Sequence, residues 1–352
     1  MIYRLGESIE HSTVKRYVHP PADPARWAEV CAGIVRHYNE GWAGGHRYGI
    51  RYWEIWNEPE NRPVMWTGND AQILELYKVT ALRLRKEFPA IKIGGMAFGY
   101  YGKYEGGKLE PSDLCGAFLD LCRKDALPVD FFSWHCYTDQ PLELAGRAKA
   151  VRAVLDARGF AKTESHLNEW NYLPGGTWDV VSRKAAPEVR QRAAEQMTGA
   201  AGAAFLAASL IELQDAPVDV TNFFHGECGL FGLFTEVGAP VRAGNAMEAF
   251  AQMLESPRRV KCEGGMSGRL SVLAGMDAAK TKASILVANL SGPEEVTLSL
   301  TGLPWEKPVV EVRTVDDRRA LERTGESLTF RFAPPSVALV TIRAQQEIPG
   351  KK

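Results

Sequence analysis

The chain has 352 residues, 45% of them hydrophobic and 24% charged, with a net charge of −1. That is room for one large domain plus a small one. The balance of charge gives no electrostatic case for binding nucleic acid or an anionic membrane. The six cysteines (Cys31, Cys115, Cys122, Cys136, Cys228 and Cys262) make no CxxC pair, so neither a disulfide framework nor a zinc site is implied. No apolar run approaches a membrane span, and no signal peptide opens the chain, so a cytoplasmic location is expected if that start is genuine. Nine tryptophans suit a sugar-gripping cleft or, as commonly, a core.

In chain order, strands and helices alternate. Residues 2–6 read as a strand. Asp23 and Pro24 begin a helix whose apolar positions run from Trp27 to Tyr38, and Gly41 ends it. Residues 52–56 are a second strand, and Asp70 is expected to cap the helix after it. Residues 91–95 are a strand followed by a Gly/Tyr-rich loop, and Ser112 caps the next helix. Strand 129–134, helix 142–158, strand 165–168 and an Ala-rich helix over 187–205 continue the series. Residues 207–213 are expected to be a strand, and 241–254 a helix.

Strand-then-helix units at this spacing predict an α/β fold: a (β/α)8 TIM-type barrel of parallel strands with helices outside. Six units are counted where a closed barrel needs eight. From Arg259 the texture changes to short alternating segments over 269–274, 282–290, 294–301, 308–315, 327–332 and 336–343, which predict a small antiparallel β-sandwich. The expected division is residues 1–257 as an incomplete barrel domain, 258–345 as the sandwich and 346–352 as a frayed tail.

The chemistry is concentrated at strand ends. Asn57-Glu58-Pro59 stops the second strand, because proline cannot donate to a ladder and restrains the residue before it. A Glu-Pro at a strand end is often only a turn. The balance moves because a second carboxylate, Glu169, stands at another strand end, two strands further on. Two carboxylates facing one another across a barrel mouth are what glycosidic-bond cleavage requires: one to supply a proton, one to attack or stabilise the anomeric carbon. Aromatic neighbours Trp56 and Trp170 would raise one carboxyl by desolvation. Between them lie His135 and Tyr137, the first a candidate to hold a sugar hydroxyl, the second to donate to Glu169. Asn171 and, with weaker support, Asp215 are further polar groups at the rim. Glu54 falls mid-strand and reads as buried or paired; Glu7 is a further carboxylate near a strand end. No metal-ligand motif, phosphate-binding glycine loop or nucleophilic serine elbow is present, so no metal and no cofactor are expected.

WEIWNEPE, KIGG, DFFSWHCYT, LNEWN and FFHGECGLFG, in unbroken order over about residues 2–255, resemble glycoside hydrolase family 39, a retaining (β/α)8 family that includes β-xylosidases and α-L-iduronidases. The resemblance implies that Glu58 is the acid/base, Glu169 the nucleophile and Asn57 the group that binds the hydroxyl beside the anomeric carbon. The family's His-x-Tyr falls on His135 and Tyr137. The implied partner is a glycoside or oligosaccharide, most simply a β-xyloside. It also implies that the first two strand-helix units are absent, in agreement with the count of six. That leaves sugar binding without turnover as the alternative, with a purely structural α/β domain behind it. A uronate substrate would want a rim cation such as Lys103, Arg147 or Arg183.

Overall fold

The computed structural model describes residues 1–6, 9–305 and 308–345. Glu7 and the tail 346–352 lie outside them. The elements run β1 (Ile2–Leu5), α1 (Pro24–Asn39), β2 (Tyr52–Ile55), α2 (Asp70–Glu87), β3 (Lys92–Phe98), β4 (Gly102–Glu105), β5 (Lys108–Pro111), α3 (Asp113–Lys124), β6 (Phe131–Thr138), α4 (Pro141–Ala157), β7 (Glu164–Tyr172), α5 (Pro187–Thr198), α6 (Ala200–Leu213), β8 (Val220–Phe223) and α7 (Arg242–Ala251).

Packing divides the chain into two units, one of residues 1–136, 146–170 and 217–222, the other of 137–145, 171–216 and 223–352. The first is built on a six-stranded sheet in the order β1-β2-β3-β6-β7-β8. The pairs β1/β2, β2/β3 and β3/β6 are parallel. The expected number of strands is met, with one reassigned. Residues 207–213, expected as a strand, are the end of helix α6, and the sixth strand is Val220–Phe223. The cause is physical. A short apolar run buried on every side carries no period of two or of 3.6, and here alanine's helix preference decides. The glycine- and tyrosine-rich loop after β3 is also ordered, as the antiparallel hairpin β4/β5.

Helix starts follow the cap chemistry. Asp23 accepts hydrogen bonds from the Ala25 and Arg26 amides, with Pro24 at the first helical position. Ser112 caps α3 by accepting from the Cys115 amide. The cap of α2 is Asn69, one residue before the expected Asp70. Asn69 and Gln72 form a reciprocal capping box, which leaves Asp70 in the first turn, facing the positive end of the helix dipole.

The core of the first unit takes up most of its large aromatic side chains. Trp53, Trp56, Trp66, Trp134 and Trp170 are fully buried. The Trp53 indole donates to the Ile50 carbonyl and that of Trp134 to the Ser165 hydroxyl, so their polar ends are satisfied away from solvent. For these five tryptophans packing explains the residue type.

In the second unit the strands continue as β9 (Arg258–Val260), β10 (Leu270–Met276), β11 (Lys282–Asn289), β12 (Glu295–Thr297), β13 (Pro308–Val315), β14 (Ala320–Gly325), β15 (Thr329–Arg331) and β16 (Ser336–Ala344). They form a six-stranded sheet, β14-β13-β16-β11-β10-β9, and a two-stranded one, β12-β15. Val287, Val312, Val340 and Ile342 of the large sheet share a core with Val296 of the small one and Phe332. Two strands went unread in the sequence, β9 and β14. Both are largely exposed and charged, as edge strands tend to be, which erases the alternation that marks a half-buried strand. Helix α6, apolar all round, packs against β10, β11 and β16.

Among the described residues no single helix is long and apolar enough to cross a membrane. Helices α5 and α6 pass that test only together, bent by 47°, and α6 is buried in the second unit.

Candidate active site

Strand β2 ends in an abrupt change of direction. Trp56 (φ 69°) and Glu58 (φ 44°) both adopt the left-handed conformation that non-glycine residues avoid, and so does Ala97 (φ 52°) near the end of β3. Such backbone persists only where the surroundings over-determine it. Here the Trp56 indole donates to the Met65 carbonyl, and the Glu58 amide donates to the Ala97 carbonyl. The turn therefore presents Glu58 at the carboxyl end of the sheet, with Asn57 buried behind it.

Glu58 and Glu169, 111 positions apart, meet there. An oxygen of each, together with a nitrogen of His135, lies within 4.8 Å of the others. His135 stands between them on β6. Its Nδ1 is 2.7 Å from Glu58 Oε1, and its Nε2 is 3.7 Å from Glu169 Oε2. The histidine side chain is 1% exposed, against 13% and 14% for the two carboxylates. The acids can thus be reached from solvent while the imidazole that links them is covered.

The expectation that aromatic neighbours raise one of these carboxyls is not met at Glu58. Burial does push it up, but the hydrogen bond and charge of His135 outweigh burial, and the carboxyl sits below its ordinary value. The raised carboxyl nearby is Glu60. Burial pushes it up to about 7, although its Oε1 accepts from the Gly99 and Tyr100 amides, each at 2.7 Å. Its Oε2 is buried without a partner.

Beneath the carboxylates lies a polar network. Arg4 of β1 is in register with Glu54 of β2, and its Nε donates to Glu54 Oε2 at 2.6 Å. The other oxygen of Glu54 accepts from Asn168 Nδ2, also at 2.6 Å. Arg4 Nη1 is 3.8 Å from Glu169 Oε2. Glu54 is 1% exposed, so it is buried and paired, as its mid-strand position implied. Arg4, Asn168 and Glu60 were not singled out from the sequence. A signal for the first was present: a charged residue inside a strand of a parallel sheet, where both faces are buried, needs a partner. A cation beside the carboxylates is Arg4. Lys103 pairs with Glu105 on the hairpin, and Arg147 lies over the Tyr104 ring.

The remaining candidates lie in the second unit. Tyr137 packs in an aromatic group with Trp178, Phe224 and Phe231. Asn171 donates to the backbone carbonyls of Phe224 and Phe231, which pins the loop that carries those two rings. Asp215 is not a rim group. It follows α6, is exposed, and forms a two-pronged ion pair with Arg259 at 2.7 and 3.1 Å.

Glu58, His135 and Glu169 offer three atoms close enough to hold a metal ion. The two imidazole nitrogens, however, point at different carboxylates instead of converging on one point. Nδ1 is hydrogen-bonded to Glu58, whereas Nε2 lies 3.7 Å from Glu169 without a hydrogen-bond partner, and a single ion would use at most one of them.

A curled sheet of parallel strands with two carboxylates and a bridging histidine at its carboxyl edge is the layout of an α/β protein with its chemistry at the strand ends. A family model described as glycosyl hydrolases family 39 matches residues 8–169. A β-xylosidase of Geobacillus stearothermophilus is 29% identical over 187 residues, 45% of this chain and 33% of that protein. One of Caldicellulosiruptor saccharolyticus is 27% identical over 184 residues, again 33% of that protein. The chain thus matches about a third of the length of the curated relatives. A glucosidase structure from Croceicoccus marinus superposes with a TM-score of 0.76 at 22% identity, covering 98% of this chain and 78% of that one. A monomeric β-xylosidase from Caulobacter crescentus gives 0.71 at 17%, covering 98% and 81%. Residues 8–169 are thus similar to glycoside hydrolase family 39, and the fold of the chain is that of these solved glycosidases.

Proposed function

We propose that the protein is a retaining glycoside hydrolase of β-xylosidase type. The observation that carries this reading is the approach of Glu58 and Glu169 to within 4.8 Å, oxygen to oxygen. Retaining enzymes hold their carboxyl groups about 5–5.5 Å apart, and inverting ones about 6.5–9.5 Å apart to admit a water. Glu58 gives its proton to the glycosidic oxygen while Glu169 attacks the anomeric carbon. Glu58 then takes a proton from the water that releases the sugar. The hold of His135 on the ionised form of Glu58 suits that second step. Asn57 is assigned to the neighbouring sugar hydroxyl. Tyr137 is assigned to the orientation of Glu169, and Asn171 to the shape of the aromatic loop.

The finer fold reading is a (β/α)8-type barrel of which six strand positions are present, residues 1–257, followed by a β-sandwich over 258–345. Support for an open barrel comes from β1, which among the described residues has β2 as its one neighbour in the sheet. Beside it is an open cavity of about 620 Å³ lined by Tyr3, Val30, Ile34, Tyr38 and Trp42 among others, of which Val30 and Trp42 are more than half exposed. Sugar binding without turnover is the weaker reading, because both carboxylates and their linking histidine are in place.

The test is product stereochemistry. Proton NMR during hydrolysis of an aryl β-xyloside should show the β-anomer of free xylose first, with mutarotation later. The α-anomer first would overturn the retaining assignment. Calorimetric binding of xylose with no turnover by folded protein would favour the binding reading.

One local feature adds a second expected result. A Cβ at Gly99 would stand 2.5 Å from Glu58 Oε1. Because the obstacle is the tip of a flexible side chain, Gly99→Ala should displace the carboxyl and leave the fold intact. Turnover should fall about 10–100-fold, as expected for a misplacement near 1 Å, with the melting temperature nearly unchanged. Wild-type turnover in this variant would show that the Glu58 position is not critical.

A further inference from the structure

We propose that Arg4 is a positioning residue for Glu169: anchored through Nε to Glu54, its guanidinium holds Nη1 beside the Glu169 carboxylate, offsets its charge and fixes its orientation. The inference rests on the reading of Glu169 as nucleophile.

Three observations lead to it. First, Arg4 and Glu54 are partners in the β1/β2 register, so both side chains issue from the same face of the sheet. Second, Glu54 is buried and has both oxygens occupied, one by Arg4 Nε and the other by Asn168 Nδ2, each at 2.6 Å. Asn168 directly precedes Glu169 on β7. The carboxylate of Glu54 thus ties the cation on β1 to the backbone that carries the nucleophile. Third, the guanidinium is not used up by Glu54. Its Nη1 is 3.8 Å from Glu169 Oε2, an ion-pair distance.

The geometry has a chemical consequence. The charged groups that face Glu169 include Arg4 from β1, Glu58 from the turn after β2 and His135 from β6. Glu54 adds a second buried negative charge close by. Two acids in one pocket resist simultaneous ionisation unless a fixed cation offsets them. Arginine is suited to that task, since it stays charged in any protein and its planar fork serves two carboxylates at once. Lysine offers a cation but not the fork.

The variants are Arg4→Met, which removes the cation with little change in bulk, and Arg4→Lys. Turnover of an aryl glycoside is measured from pH 4 to pH 8. For Arg4→Met, kcat should fall about 100-fold with KM little changed, since the loss falls on the alignment of the attacking group. The acid limb of kcat/KM should move about one pH unit higher, because a carboxylate without its cation is harder to ionise. Arg4→Lys should lie between. An unshifted acid limb, with losses that follow only the folded fraction, would overturn the proposal. If Arg4→Met does not fold, the same shift in Arg4→Lys decides.

A readout independent of turnover separates this proposal from the functional one. In protein carrying 13C-labelled glutamate, the Glu169 δ-carbon signal is assigned by its loss in Glu169→Gln. Its titration should move to higher pH when Arg4 is replaced. If wild-type protein hydrolyses nothing, the functional reading fails, and this titration still accepts or rejects the role of Arg4.

Discussion

Glu58→Ala is expected to slow hydrolysis of an aryl glycoside with a poor leaving group by about 10²–10⁴-fold, the usual worth of a positioned proton donor. That corresponds to about 3–5 kcal/mol at the transition state. The dependence on leaving group is what makes the result specific. A dinitrophenolate departs without a proton, so its glycoside should form the glycosyl-enzyme in this variant almost as fast as in wild type. The slow step then becomes release, and azide, which needs no general base, should restore turnover and give a glycosyl azide of the substrate's own configuration. Glu169→Gln should behave otherwise, losing turnover of both substrates together because no covalent intermediate forms. If the two variants respond alike to leaving group and azide, the roles assigned here are wrong. The expectation rests on two side chains from different strands meeting at the carboxyl edge of the sheet.

The second large effect is on stability, at Glu60. Its carboxyl is pushed up to about 7 by burial, with one oxygen fixed by two backbone amides and the other enclosed without a partner. The folded chain therefore keeps this proton to higher pH than the unfolded chain does. Stability from the neutral form is fully present below the ordinary carboxylate value and is lost as pH rises through about 7. A difference of about 2.5 pH units corresponds to at most about 3 kcal/mol. Glu60→Gln keeps an oxygen for the Gly99 and Tyr100 amides and has nothing to ionise. It should match wild type near pH 5 and exceed it by about 2–3 kcal/mol at pH 8. Urea denaturation at the two pH values is the measurement. An equal difference at both, or a variant weaker at pH 8, would mean that Glu60 does not titrate in this window.

These two carboxyls also show what could be read from the sequence and what could not. Glu58 was legible because proline follows it at the end of a strand, and Glu169 because of the Asn-Glu-Trp-Asn cluster around it, although β7 runs on through that cluster to Tyr172. The roles proposed for them rest on the family resemblance. Glu60 differs from Glu58 by two positions and carries the same chemistry, yet its altered proton affinity comes from burial, against the opposing pull of the Gly99 and Tyr100 amides, and no local pattern encodes that burial. Arg4 carried a signal, a charge inside a strand, but its partner could not be read, because that depends on register with a strand some fifty residues later. Among the elements, those with amphipathic periodicity and caps were found within a residue or two. The run 207–213 was misread because burial on all sides leaves propensity as the only guide, and β9 and β14 were missed because exposure removes alternation.

The placement of β1 has one more result. Among the described residues this short stretch of four has a single flanking strand, yet it supplies a cation 3.8 Å from Glu169. Peeling at that border would withdraw Arg4 and uncover Trp53 and Trp56, while Trp134 and Trp170, on strands further along the sheet, stay packed. Thermal inactivation would then set in below the temperature at which the interior melts, and whatever seats itself on that margin would restore function before it adds measurable stability.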